Sequence, residues 1–171
     1  GGVTWSRPLG SGHFAGTYVR AIAIDPNSSG SELTTTLYVG STSGLWRSTD
    51  SGTSWTQKRQ RGIYDVAIDA SSFPSTLYVT DDGGTYRSTD SGSSWTKIHN
   101  VLLQSHNRVS VVSPTLLRRN PTLYLLGPND PDHNLYKSTD RGATWIQIPI
   151  VALGFLKFVK IKTHLAHRSV P

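Results

Sequence analysis

Two sets of aspartates in this sequence have the type and spacing to do chemistry. The first is Asp81 and Asp82, with Asp130, Asp132 and His133 in a later polar stretch. Two carboxylates facing each other across a cleft serve as acid and base in glycoside cleavage. These four aspartates are therefore the candidate catalytic residues. Arg59, Arg61 and Arg108 are candidates for gripping an anionic group, since a guanidinium binds a carboxylate through two parallel hydrogen bonds. Tyr64 and His133 join them as candidate binding residues. A competing reading of the same residues is turn formation, because Asp-Gly and Asn-Asp-Pro sequences are common turn formers, and it outweighs catalysis. The oxygen-rich run Asn129 to Asp132 lacks the spacing of an EF-hand loop. No metal site and no cofactor is expected.

The second set is Asp50, Asp90 and Asp140. Each sits in one octapeptide, S-T-D-x-G-x-[ST]-W, at Ser48–Trp55, Ser88–Trp95 and Ser138–Trp145. A catalytic group is needed once, whereas this one recurs with the repeat, so the reading is structural. The aspartate accepts backbone N–H bonds of a turn, and Gly52, Gly92 or Gly142 supplies the positive φ of a tight reversal. Ser48, Ser88 and Ser138 satisfy backbone groups, and Trp55, Trp95 and Trp145 pack beneath the turn.

These residues need elements to hold them, and the repeat supplies those. Upstream of each octapeptide lies an L-Y-[VL] anchor: Leu37–Val39, Leu77–Val79 and Leu123–Leu125. Further upstream lie Ala21–Pro26, Val66–Asp69 and, more loosely, Val109–Pro114. A basic residue, Arg47, Arg87 or Lys137, precedes each octapeptide, and Gly2–Trp5 matches its last four positions. The tryptophans at 5, 55, 95 and 145 are spaced by 50, 40 and 50 residues. Such a period built of short strands indicates propeller blades. The predicted strands are 18–24, 35–40, 45–48 and 54–58; then 63–68, 76–80, 85–88 and 94–98; then 108–112, 122–126, 135–138 and 144–148. The octapeptide turn falls between strands three and four of each group. The expected organisation is all-β: a truncated octapeptide at 1–5, blades at about 18–58, 63–98 and 108–148, and an atypical segment at 149–171. The expected ring is partial, or is completed by other chains through its open edges.

Composition narrows the function. The 171 residues include 16 Gly, 9 Pro and no Cys, which suits many turns and excludes disulfides and thiolate metal sites. The net charge of +6 is spread along the chain, so no nucleic-acid partner is expected. The longest apolar run, 148–159, contains Lys157 and is too short for a membrane span.

The octapeptides and their L-Y-[VL] strands resemble the Asp-box, or BNR, repeat over residues 2 to about 148. Propellers of that kind include sialidases, xyloglucanases, sortilin-type receptors and photosystem II assembly-factor-like proteins. The resemblance implies a β-propeller, and in its enzymes the chemistry lies on the loop face opposite the boxes. It also implies rings of six or more blades. The sialidase arginine-isoleucine-proline motif is absent, and no tyrosine–glutamate nucleophile pair is identifiable. The reading is a non-catalytic binding or scaffold module for a protein or glycan ligand, extracellular or in the cell envelope. A fragment of a sialidase- or xyloglucanase-like glycoside hydrolase is one alternative. A structural subunit assembling through open blade edges is another.

Overall fold

A computed structural model describes residues 14, 16–28, 34–100, 108–112, 121–126 and 135–148, with the backbone alone for 108–112. The partial octapeptide at 2–5, Asp130, Asp132, His133, the Arg108 side chain and the segment 149–171 lie outside the described residues.

The described residues form three four-stranded antiparallel sheets, each a meander in sequence order. Blade 1 comprises β1 (Val19–Ile24), β2 (Leu37–Ser41), β3 (Gly44–Ser48) and β4 (Thr56–Arg59). Blade 2 comprises β5 (Ile63–Asp69), β6 (Thr76–Asp81), β7 (Gly84–Ser88) and β8 (Thr96–His99). Blade 3 comprises β9 (Arg108–Val112), β10 (Thr122–Leu126), β11 (Leu135–Ser138) and β12 (Ile146–Ile148). The inner strand β5 touches both β1 and β9, so the blades stack side by side as in a propeller.

The predicted strands and the observed ones differ mainly where a side chain caps the backbone. The fourth strands start at Thr56, Thr96 and Ile146, two residues later than predicted. The reason is local: the N–H of Ser54, Ser94 and Thr144 is turned to the preceding box carboxylate. Likewise β2 starts at Leu37 because the Thr35 and Thr36 amides bond to the hydroxyls of Ser51 and Ser28.

Burial follows the stacking. Blade 2 turns one face to blade 1 and the other to blade 3. Tyr38 and Leu45 of blade 1 meet Ile63, Val66, Leu77 and Val79 of blade 2 in one core cluster. Tyr78 of blade 2 meets Leu123 and Leu125 of blade 3 in the next. β6, with a blade on either side, is buried at every position, the polar Thr76, Thr80 and Asp81 included. The basic residue before the second octapeptide serves the same stacking: Arg87 donates through Nη1 to the Arg141 carbonyl in the turn of the following blade, at 3.3 Å. On the same side Asn27 donates through Nδ2 to the carbonyls of Ala70 and Ser72 and to the Ser75 hydroxyl, while Ser75 donates to Asp25 at 2.6 Å.

Candidate functional site

The meander puts the connections between first and second strands and the octapeptide turns at one end of the blades. The connections between second and third strands, and from each blade to the next, lie at the other. The two ends are built differently.

At the octapeptide end the same hydrogen bonds occur three times. In blade 1 the Ser48 hydroxyl donates to Asp50 Oδ1 at 2.7 Å and accepts the Gly52 N–H at 2.8 Å. The Ser54 N–H donates to Asp50 Oδ1 at 2.8 Å and its hydroxyl to Oδ2 at 2.6 Å. Ser88, Asp90, Gly92 and Ser94 repeat the set in blade 2. Ser138, Asp140, Gly142 and Thr144 repeat it in blade 3. Both oxygens of each carboxylate are thus engaged. The donors, led by the Ser54 hydroxyl, hold Asp50 down to about 2. Asp140 is held to about 2 by Thr144 in the same way, and Asp90 is held well below the usual carboxylate range by Ser94.

The turn needs more than its glycine. Ser51, Ser91 and Arg141 have φ of 56°, 59° and 60°, followed by Gly52, Gly92 and Gly142 at 93°, 86° and 88°. Two successive positive φ values are the type I′ pattern, whose twist matches that of a hairpin. An arginine in this region is uncommon; the fixed carboxylate behind it holds the turn closed. Two of the tryptophans bond to their turns: Trp55 and Trp145 donate to the carbonyls of Gly52 and Gly142 at 3.0 and 3.1 Å, whereas the buried Trp95 indole N–H has no hydrogen-bond partner among the described residues. Trp145 also donates to the Ile98 carbonyl of the preceding blade at 3.0 Å.

At the loop end the blades diverge. Asp81, the last residue of β6, is fully buried. It accepts Arg59 Nε at 3.0 Å and Nη2 at 2.6 Å, and the Gly83 N–H at 2.6 Å. Arg59 in turn lies over the Tyr86 ring at 3.9 Å and near Trp95 at 5.7 Å. Arg59 therefore bridges blades 1 and 2. The neighbouring pair is open: Arg61 Nη1 meets Asp82 Oδ1 at 3.1 Å, with side chains 56% and 59% exposed.

Tyr64 sits at a β-bulge, where the register of β5 on β6 shifts between Ile63 and Asp65. The matching shift in β1 falls between Val19 and Ala21, at Arg20. Bulges re-aim side chains, and these two meet: the Arg20 guanidinium lies 4.6 Å from the centre of the Tyr64 ring. Sequence reading missed Arg20. The signal was available, since Arg20 and Tyr64 hold the same place relative to Ile24 and Ile68 in the repeat.

Of the candidates, then, Arg59, Arg61, Tyr64, Asp81 and Asp82 come to one end of blades 1 and 2, joined by Arg20. Asp81 and Asp82 are adjacent at the end of one strand, and each is engaged by a guanidinium. Among the described residues no three His, Asp or Glu side chains are placed to hold a metal ion, and no helix is long and apolar enough to cross a membrane.

No protein-family model and no curated protein sequence matches the chain. Solved structures do. The chain is similar to one chain of a nidogen/laminin complex, at 15% identity over 75% of this chain and 47% of that one, with a TM-score of 0.57. It is similar to the GH74 xyloglucanase of Xanthomonas campestris, at 19% identity over 77% of this chain and 21% of that one, with a TM-score of 0.54. It is also similar to a GH74 enzyme of Niastella koreensis, at 25% identity over 80% and 22%, with a TM-score of 0.57. The chain spans 47% of the first of these and 21% and 22% of the two enzymes. With the three four-stranded sheets, these likenesses identify the fold as β-propeller blades.

Proposed function

We propose that the chain is a non-catalytic Asp-box propeller module that binds a protein or glycan ligand through the loop end of its blades, outside the cell or in the cell envelope. The observation that carries this reading is the pairing of every described candidate carboxylate. The octapeptide aspartates are committed to their turns, and Asp81 and Asp82 to Arg59 and Arg61. Neither loop-end pair has two carboxylates confronting each other across a gap, the arrangement glycoside cleavage needs.

What remains at that end is a surface suited to contact. The Arg59–Asp81 pair is a buried anchor that fixes the β6–β7 turn of blade 2 on blade 1. Arg61 and Asp82 present polar groups to solvent. Arg20 stacked on Tyr64 offers a planar cation and an aromatic ring on rigid strands. Contacts built on strands are held more firmly than contacts on loops.

The test is a glycan array probed with the purified chain, run beside assays for hydrolysis of xyloglucan and of sialylated oligosaccharides. The expected result is retention of a defined glycan class, or of a protein partner in a parallel capture, with no release of reducing sugar or sialic acid. Turnover of either substrate contradicts the non-catalytic reading. It favours the glycoside hydrolase alternative.

A further inference from the structure

Blade 1 and blade 3 each leave one face without a neighbouring blade among the described residues, and the two faces are halves of a contact the molecule already makes twice. On the successor side, Tyr38 and Tyr78 are buried to 1% and 0% exposure by the blade that follows. Tyr124 holds their place in blade 3 and is only half-buried, as is Leu126. The alternation along β10 shows the same thing: Leu123 and Leu125 are buried against blade 2, while Thr122, Tyr124 and Leu126 are not. On the predecessor side, Ile63 and Val66 of blade 2 are buried to 0% and 7%. Val19 and Ile22 hold the same places in blade 1 and are 55% and 66% exposed, with Ile24 at 58%.

The outer part of that predecessor side is filled. In blade 2 the seat formed by Tyr86 and Trp95 takes Arg59 of the blade before it. In blade 3 the seat formed by Tyr136 and Trp145 takes His99, with ring centres 4.8 and 5.1 Å apart. In blade 1 the equivalent seat, Trp46 and Trp55, takes Phe14 edge-on at 6.0 and 5.3 Å. What stays exposed is the inner part: Val19, Ile22 and Ile24.

We propose that a second copy of this chain occupies these faces, with Tyr124 and Leu126 of one copy packed on Val19, Ile22 and Ile24 of the other. The contact continues the blade-to-blade interface in the same sense, as Tyr38 packs against Val66 and Leu77. Lys137 of the second copy takes the role of Arg87, reaching towards the octapeptide turn of blade 1. The interface is heterologous, since different faces meet, and such interfaces close into a ring when the rotation allows. Two copies of the three described blades give six, within the usual range of about four to eight for a closed propeller.

Sedimentation equilibrium of the chain, across a tenfold range of concentration, tests this. The expected mass is twice the 18.7 kDa of one chain. Ile22→Asp and Tyr124→Asp each reduce it to one chain, with Ile22→Thr and Tyr124→Ser as milder variants. Circular dichroism spectra matching the parent establish that each is folded. Mixing the Ile22 and Tyr124 variants restores a two-chain species, because one undamaged pair of faces survives. A parent mass of one chain, or of three or more, overturns the proposal. So does a dimer that both variants leave intact, or a mixture that stays at one chain.

Discussion

The two ends of the same blades obey different rules. At the octapeptide end, Ser48, Asp50 and Ser54 make the same bonds as Ser88, Asp90 and Ser94, and as Ser138, Asp140 and Thr144, with distances agreeing within 0.1 Å. At the loop end, equivalent positions differ. Where blade 2 has Asp81 gripping Arg59, blade 1 has Ser41 bonded to Ser43 and to the Gly44 carbonyl. Repetition marks the residues that every blade needs in order to fold. Divergence marks those that one place in the ring needs. The comparison also separates two ion pairs that look alike in sequence: Arg59–Asp81 is buried and Arg61–Asp82 is open.

That contrast is open to breaking by substitution. The largest effect is expected from Asp81→Ala, which leaves the buried Arg59 charge without its carboxylate. Loss of one partner of a buried pair costs about 3 kcal/mol, read as a lower denaturation midpoint in urea. Next is Ser88→Ala. It removes the hydroxyl that serves the buried Gly92 N–H and Asp90 together, at a cost of about 1–3 kcal/mol for the stranded donor. Tyr78→Phe is expected to be neutral or to stabilise by up to about 1 kcal/mol, because the buried Tyr78 hydroxyl has no hydrogen-bond partner. Burial has pushed that phenol up to about 12, so it stays neutral in any ordinary buffer. The smallest effect is that of Asp82→Ala, within about 1 kcal/mol, since exposed pairs are screened by water. A midpoint for Asp82→Ala as low as that for Asp81→Ala would erase the distinction between the two pairs.

Much of the fold was legible because the repeat writes it several times. All twelve observed strands overlap predicted ones, and the same carboxylate bonds and positive-φ glycines recur in each blade. What stayed hidden depends on contacts between distant residues. Arg59 and Asp81 are 22 residues apart, and nothing local announces that one buries the other. Arg20 lies on a bulge that strand periodicity does not reveal. The left-handed backbone of Ser51, Ser91 and Arg141 escaped because those side chains give no hint of it. The residue before each one is the aspartate whose carboxylate bonds across the turn. The candidate site was thus readable as a set of residues at one end, but not as two ion pairs of opposite burial.

The central claim is that the octapeptide carboxylates are spent on their turns. Their depressed pKa values make this measurable. A carboxylate held below its unfolded value of about 3.9 adds stability that is present above that value and lost as pH falls through the folded one. Residue-resolved NMR titration of the aspartate carboxyl carbons reports each group directly. Asp50 and Asp140 are expected to titrate near 2 and Asp90 well below the usual carboxylate range, with the hairpins loosening as they protonate. Titration of all three near 4, with the turns unchanged, would contradict it and return these carboxylates to the list of groups free for chemistry.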